Sequence, residues 1–527
     1  MSRGESERLP VASGNVASAA LTVASGTIAF LVVSPLIWLV LRALEVEPGR
    51  ALGLVVSPRT AEILANSLGL TVGVTVLSIV LGVPLAILTT RTDLPYRRLW
   101  TVFMALPLVV PSYIGAFAFV RTFGERGEIH SIVGAPLPVI DGLSGAILII
   151  TLYTYPYVFL TTRAALLSLD GSLIDAARTL NAGRLEAYRR VVFPQIRPAV
   201  AAGALLVALY AVSDFGTPAF MRVSVFTYEI YEEYGAFNVE YAALLSMQLL
   251  AVAAVILAIE ASVGSEPDGT SGTSGSRIRL GAWKWPAMGG LATLVTVTLV
   301  LPVAIFGLWL LRGTGGEAPS LAFQWEYVFN SVYLAVLAAF VASVFAIPVG
   351  YLSARSDSKA ARLFERATYV GFAVPGIVIG LALVFFGANY FPSIYRTVPL
   401  LVFAYVVRFM PQAVGTTRTS VLQVDRSLVE AARTLNAGPL TTFRRVTFPL
   451  IAPGVIAGGA LVFLTTMKEL PATLMLQPIG VETLVTIIWS AHTTVYYRYA
   501  ALPALILIVI SGLSMIVLLR QEKYRME

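Results

Sequence analysis

Twelve blocks of about twenty apolar residues run through the chain, each long enough for a helix to cross ~30 Å of hydrocarbon. In the first half of the sequence they fall near 19–41, 66–90, 99–120, 144–162, 198–217 and 241–263. In the second half they fall near 286–311, 330–354, 367–388, 397–417, 454–475 and 499–519. The weak alternation of an outer-membrane barrel, in segments of roughly ten residues, is absent. Of the 527 residues, 57% are hydrophobic and 13% charged, whereas soluble domains carry about 25% charged residues. The pattern predicts an all-α polytopic membrane protein and excludes a soluble enzyme or a disordered chain.

An even number of spans places both termini on one side, and the charges choose which. With the N-terminus inside, and charges near a span end counted with the nearer side, inner segments hold 26 Lys/Arg against 15 Asp/Glu. Outer segments hold 10 against 15, and Arg408 lies within a span. Positive charge collects on cytoplasmic segments, so both termini are expected there, and the net charge of +7 reflects topology rather than nucleic-acid binding. The first span has no small-residue cleavage pattern and ends Leu39-Val40-Leu41-Arg42, as an anchor does.

The chain is an internal repeat. Asn66-Ser67 recurs as Asn330-Ser331, Pro84 as Pro348, Arg91-Thr92-Asp93 as Arg355-Ser356-Asp357 and Pro111 as Pro375, all at an offset of 264. Further on the offset becomes 255, with Pro156 matching Pro411 and Pro194 matching Pro449. Six spans per copy give both copies the same orientation. The expected organisation is a first membrane domain at 1–263, a linker at 264–283 and a second membrane domain at 284–527. Gly264 to Ser276 is rich in Gly, Ser and Thr, the composition of a flexible tether.

Several chemistries are excluded. Cysteine is absent, so there are no disulfides or thiolate sites, and two histidines are too few for a histidine metal cluster. The four lysines, Lys284, Lys359, Lys468 and Lys523, never follow glycine. The phosphate-cradling GxxxxGK[ST] loop is therefore missing, and no ATP hydrolysis through a P-loop is expected. His130 and His492 are expected at the surface.

The best-matched stretch of the repeat lies outside the spans. Residues 175–198 read DAARTLNAGRLEAYRRVVFPQIRP and 430–453 read EAARTLNAGPLTTFRRVTFPLIAP, with 16 of 24 positions identical. Lipid-facing segments drift freely, so a polar loop kept alike in both copies points to a common partner. Ser172 or Ser427 is expected to cap a first helix, with Asp175 or Glu430 completing a capping box. Asn181-Ala182-Gly183 and Asn436-Ala437-Gly438 supply residues that tolerate a left-handed turn. A second short helix, carrying Arg189 and Arg190 or Arg444 and Arg445, is expected to stop before Pro194 or Pro449.

This loop resembles the "EAA" loop of binding-protein-dependent ABC importer permeases, and it occurs twice, before the fifth span of each half. The resemblance implies two permease domains in tandem in the plasma membrane. It also implies that the loops dock on two copies of a separate ATPase subunit, which uses the ATP, while an extracytoplasmic binding protein delivers substrate. Carried onto this sequence, the coupling residues are Asp175, Ala176, Ala177, Asn181, Gly183, Arg189 and Arg190 in the first copy. In the second they are Glu430, Ala431, Ala432, Asn436, Gly438, Arg444 and Arg445. The family's usual glycine falls on Asn181 and Asn436, and asparagine also tolerates the left-handed turn. Within the family, Ser213-Asp214-Phe215-Gly216-Thr217-Pro218 and Lys468-Glu469-Leu470-Pro471-Ala472-Thr473 resemble ferric iron permeases, with thiamine and aminoethylphosphonate permeases as the alternative.

Asp214 and Glu469 are equivalent, and with Arg408 and Lys468 they are the ionisable groups expected along a translocation pathway. Two readings stand: an acidic pair suited to a cation, or carboxylates that lock helices by pairing with Lys468 or Arg408. The acidic outer segment Tyr228 to Tyr234 suits either a binding-protein contact or an interfacial helix. A twelve-span secondary transporter would carry its repeated loop after the second span of each half rather than the fourth, and a lipid enzyme would show a catalytic constellation, which is not visible.

Overall fold

The structure, a computed structural model, describes residues 12–124, 127–128, 140–169, 186, 188–263, 278–313, 322–435 and 437–526. In the first half α1 spans Ala12–Leu44, α2 Pro48–Val55, α3 Pro58–Arg91, α4 Arg97–Ala105, α5 Ser112–Phe123 and α6 Gly142–Ser168. There follow α7 Phe193–Ser213, α8 Gly216–Phe220, α9 Phe226–Gly235 and α10 Val239–Val263. The second half has α11 Lys284–Val295, α12 Leu301–Arg312, α13 Trp325–Arg355, α14 Lys359–Ala373, α15 Gly376–Tyr390 and α16 Val398–Gln423. It continues with α17 Arg426–Thr434, α18 Pro439–Thr442, α19 Phe448–Thr466, α20 Pro471–Leu476, α21 Leu484–Thr493 and α22 Ala501–Met526.

Twelve straight spans do not form among the described residues. Among the described residues nine helices are long and apolar enough to cross a membrane, and two further pairs bend by 90° (97–109 with 112–123) and 102° (359–373 with 376–390). The expected twelfth span lies on α22. Both bends have the same cause. Val110 and Val374 precede Pro111 and Pro375, whose rings push the preceding residue out of the helical region; both valines sit at ψ 124. The fifth and eleventh spans also end earlier than their hydropathy suggests, at Ser213 and Thr466, and resume as the short α8 and α20.

Prolines at the other end of these spans behave differently from expectation. Pro194 and Pro449 do not stop a short helix: each is the second residue of α7 or α19, in a helix continuous with the turn before it. A π-helical turn, Tyr188–Val192 or Phe443–Thr447, runs straight into the span instead. Arg444 and Arg445 are thus the foot of a membrane helix.

In each half the long α3 or α13 packs along α6 and α7 or α16 and α19. Backbones touch where side chains are absent: a Cβ on Gly203 would lie 2.8 Å from Val158 Cα, and one on Gly458 2.8 Å from Ala413 Cα. The first helix of each half crosses to the other. Thus α1 lies on α13, α14 and α15, while α12 packs on α5 through Phe306, Trp309 and Phe117. The repeated Asn-Ser pair proves to be a pin. Asn66 Nδ2 donates to Ser224 O (3.1 Å) and Ser67 Oγ accepts from Phe226 N (3.0 Å), fixing the start of α9. Asn330 Nδ2 donates to Glu482 O (2.9 Å) and Ser331 Oγ accepts from Leu484 N (2.9 Å), fixing α21.

The end of the segment assigned to the linker is held in place. Ile278 N donates to Arg91 O (2.8 Å), Asp93 N to Ile278 O (3.1 Å) and Leu280 N to Asp93 Oδ1 (2.8 Å).

Candidate functional site

Three helix breaks line one cavity of about 220 Å³, the bend at Pro111 and the interruptions at Asp214 and Glu469, and Phe372 reaches it from the end of α14 just before the bend at Pro375. All four ionisable residues expected on the pathway, Asp214, Arg408, Lys468 and Glu469, line it. Asp214 Oδ1 accepts from Thr217 N (3.4 Å) at the start of α8, and Glu469 Oε1 accepts from Ala472 N (3.2 Å) at the start of α20. Each carboxylate therefore caps the short helix that follows its break.

Beyond the caps the two walls differ. Glu469 Oε2 pairs with Arg408 Nε at 3.2 Å, and Arg408 Nη1 also donates to Val374 O at the second bend. Gly376 makes this possible, because a Cβ there would collide with Glu469 Oε1 and Arg408 Nη1. At the equivalent place in the first half stands Ser112, whose hydroxyl donates to Asp214 Oδ2 (2.8 Å) and accepts from Tyr210 (3.0 Å). Asp214 has no cationic partner among the described residues. The positions matching Arg408, Gln412 and Thr465 are Tyr153, Tyr157 and Tyr210. The first wall is thus phenolic and hydroxylic, and the second is charged. Lys468 reaches across to donate to Leu108 O (2.8 Å).

At the C-terminal end of α16 the repeated loop forms α17, a π-turn and α19. Its cap is Asp425, not Ser427: the Ser427 amide donates to Asp425 Oδ1 (2.9 Å), one residue ahead of the helix. That bond and, to a lesser degree, the Ser427 hydroxyl hold the exposed Asp425 carboxyl below its ordinary range. Val429 and Phe443 turn inward against Tyr351, Val421 and Ile451. Glu430, Ala431, Gly438, Arg444 and Arg445 are exposed and Ala432 is half-buried. Leu428, Leu435 and Leu440 are exposed beside them, the last two at 83% and 78%. Gly438 does not adopt a left-handed conformation; at φ −63 it precedes α18 in extended backbone. In the first copy Arg189 and Arg190 are exposed, with Arg190 paired to Glu186 at 3.0 Å. Asp175, Ala176, Ala177, Asn181, Gly183 and Asn436 lie outside the described residues.

The model of the family described as binding-protein-dependent transport system inner membrane component matches the chain twice, over residues 78–264 and 346–523. Each match spans one set of helix breaks and one repeated loop. This chain belongs to that family. It is a permease component of an ABC importer, a multi-pass membrane protein whose family works with an ATPase and a substrate-binding protein. Similar to it is the Fe(3+)-transport system permease protein FbpB 2 of Haemophilus influenzae, 31% identical over 494 residues, covering 92% of this chain and 94% of that protein. The ferric transport system permease protein FbpB of Actinobacillus pleuropneumoniae is 25% identical over 79% of this chain and 64% of its own length. The molybdate/tungstate transport system permease protein WtpB of Pyrococcus abyssi matches 28% of this chain at 28% identity.

Sequence reasoning missed several of the permease's cavity residues. Tyr113, Tyr153, Tyr157 and Tyr210 read as ordinary aromatic span residues, and their one signal was that their equivalents in the second copy are not aromatic. His492 is not at the surface; it packs half-buried among Phe117, Phe220, Trp489 and Tyr497.

Proposed function

We propose that this permease carries ferric iron across the plasma membrane, with both termini cytoplasmic. In this reading 1–263 and 284–527 are its two membrane domains, joined by the segment 264–283. Substrate arrives from an extracytoplasmic binding protein, and two copies of a partner ATPase dock on the loops that contain Asp175 and Glu430. The chain binds no cofactor and hydrolyses no ATP, in keeping with its lack of a P-loop lysine motif. The observation that carries the substrate is the likeness, over nearly the full length of both chains, to a permease named for Fe(3+).

The cavity chemistry suits that reading on one side only. With Glu469 engaged by Arg408, Asp214 is the carboxylate left to face a cation, among hard oxygen donors. Tyr113 adds a buried hydroxyl on the cavity wall with no hydrogen-bond partner among the described residues. Uptake of labelled ferric iron, thiamine and an aminophosphonate in cells lacking this gene and all other iron importers tests the substrate. Restoration of iron uptake by the returned gene is expected. Restoration of thiamine or aminophosphonate uptake alone would overturn the iron reading and keep the importer.

A further inference from the structure

The repeated arginine of Arg91-Thr92-Asp93 and Arg355-Ser356-Asp357 has no part in the cavity or in the exposed loop surface. Its place in the fold is nevertheless the same in both halves. Arg91 ends α3, and its Nη2 donates to Leu166 O (2.6 Å) in the last turn of α6 and to Leu169 O (3.4 Å) just past its end. Arg355 ends α13, and its Nη2 donates to Val424 O (2.9 Å), just past the end of α16. The first repeated loop follows Leu169 in sequence, and Asp425 caps the helix that opens the second. Each guanidinium therefore grips the chain at the point where a membrane helix becomes the loop.

Such a grip is favourable on three counts. The last carbonyls of a helix lack intrahelical partners. The negative ends of two helix dipoles meet at each corner, where a cation is stabilising. A charge-assisted hydrogen bond is stronger and shorter than a neutral one. Arg91 is buried at 8% exposure, so its bonds are shielded from water. The helices it joins are those that run from the repeated loop toward the cavity: α6 carries Tyr153 and Tyr157, and α16 carries Arg408.

We infer that Arg91 and Arg355 are positioning residues for coupling, tying α3 to α6 and α13 to α16 so that a push on either loop moves the helix pair as one body. The inference rests on the reading that the loops dock on an ATPase, and the test separates the two. The permease, assembled with its ATPase and reconstituted in vesicles, is assayed for ATP hydrolysis and for substrate moved per ATP. Arg355→Ala is expected to keep the ATPase bound and hydrolysing while lowering substrate moved per ATP by about tenfold or more, an ordinary size for coupling between sites.

Arg355→Lys, which can still donate to Val424 O, is expected to recover most of that ratio. Arg355→Gln, which keeps a neutral donor, is measured alongside in case the alanine variant fails to assemble, and is expected to fall between the two. Arg91 variants should follow the same order. A transport-to-ATP ratio unchanged in the alanine and glutamine variants, or equally low in the lysine variant, would overturn the proposal. Leu435→Asp on the exposed loop serves as the control for docking. If it still captures the ATPase at wild-type level, the docking reading fails, whatever the arginines do.

Discussion

Asp214 and Glu469 stand at the same corner of the two halves, each capping a short helix through the amide three residues on. Around that shared backbone device the side chains diverge. The first half solvates its carboxylate with Ser112 and, behind it, Tyr210; the second neutralises its carboxylate with Arg408. Duplication has kept what the backbone needs, namely proline bends, caps and Asn-Ser pins. It has let go of what only the cavity wall uses. A fused chain permits this, because each wall is encoded once and can change without its twin.

The largest expected effect comes from breaking the charged wall. Glu469→Ala or Arg408→Ala strands a poorly exposed charge (6% and 15% exposed side chains) and should cost ~3–5 kcal/mol. The double variant should recover much of this loss, because no unpaired charge remains. Asp214→Ala loses hydrogen bonds to a charged acceptor but leaves no opposite charge unpaired, so ~1.5–3 kcal/mol is expected. Thermal unfolding of the purified permease measures all four. Equal losses at Asp214 and Glu469 would erase the proposed difference between the walls.

Exchanging the residues at the bends sharpens the same comparison. Gly376→Ser imports the first half's residue into a corner already filled by Glu469 and Arg408, and overpacking of this kind costs ~1–3 kcal/mol. Ser112→Gly has no such collision and loses one hydroxyl from Asp214, so it should be milder, near ~1 kcal/mol. The pins should not distinguish the halves at all. Asn66→Ala and Asn330→Ala each remove one bond to a loop carbonyl, and losses of ~1 kcal/mol matched within a few tenths are expected in the same unfolding assay.

How much of this was legible follows from the range of each interaction. Hydropathy reports whether a segment is apolar, and it found the spans. It is blind to direction, so a proline within an apolar run could be matched between copies without revealing the sharp bend it makes. The Asn-Ser repeat was visible at once, yet its purpose was not, since Asn66 finds its partner 158 residues away. Asp425 was overlooked as a cap because Ser427, with Glu430 three residues on, fits the capping-box pattern, whereas Asp425 is followed there by Leu428. Arg408 and Glu469 were foreseen as possible partners, whereas the vacant corner at Gly376 that lets them meet depends on a helix bend no local pattern encodes.

The smallest effect belongs to the exposed repeated loop, where water screens what the cavity would shield. Asp425 is fully exposed, and its carboxyl is held below its ordinary value by the Ser427 amide and, to a lesser degree, the Ser427 hydroxyl. A group with a lowered folded value contributes stability that is complete above its unfolded pKa, about 3.9 for aspartate. That contribution is lost as pH falls through the folded value. Amide exchange of α17, followed from neutral to acidic pH in the membrane-inserted protein, should therefore show protection that fades only at the acid end. Asp425→Ala should lower protection at neutral pH and remove the pH dependence. Ser427→Ala should have the smaller effect on both, because it keeps the backbone amide that makes the larger contribution at Asp425 and removes only the hydroxyl's lesser one. If Ser427→Ala instead frays α17 while Asp425→Ala does not, the cap lies where the sequence pattern alone would put it, and the loop is built differently from the geometry described here.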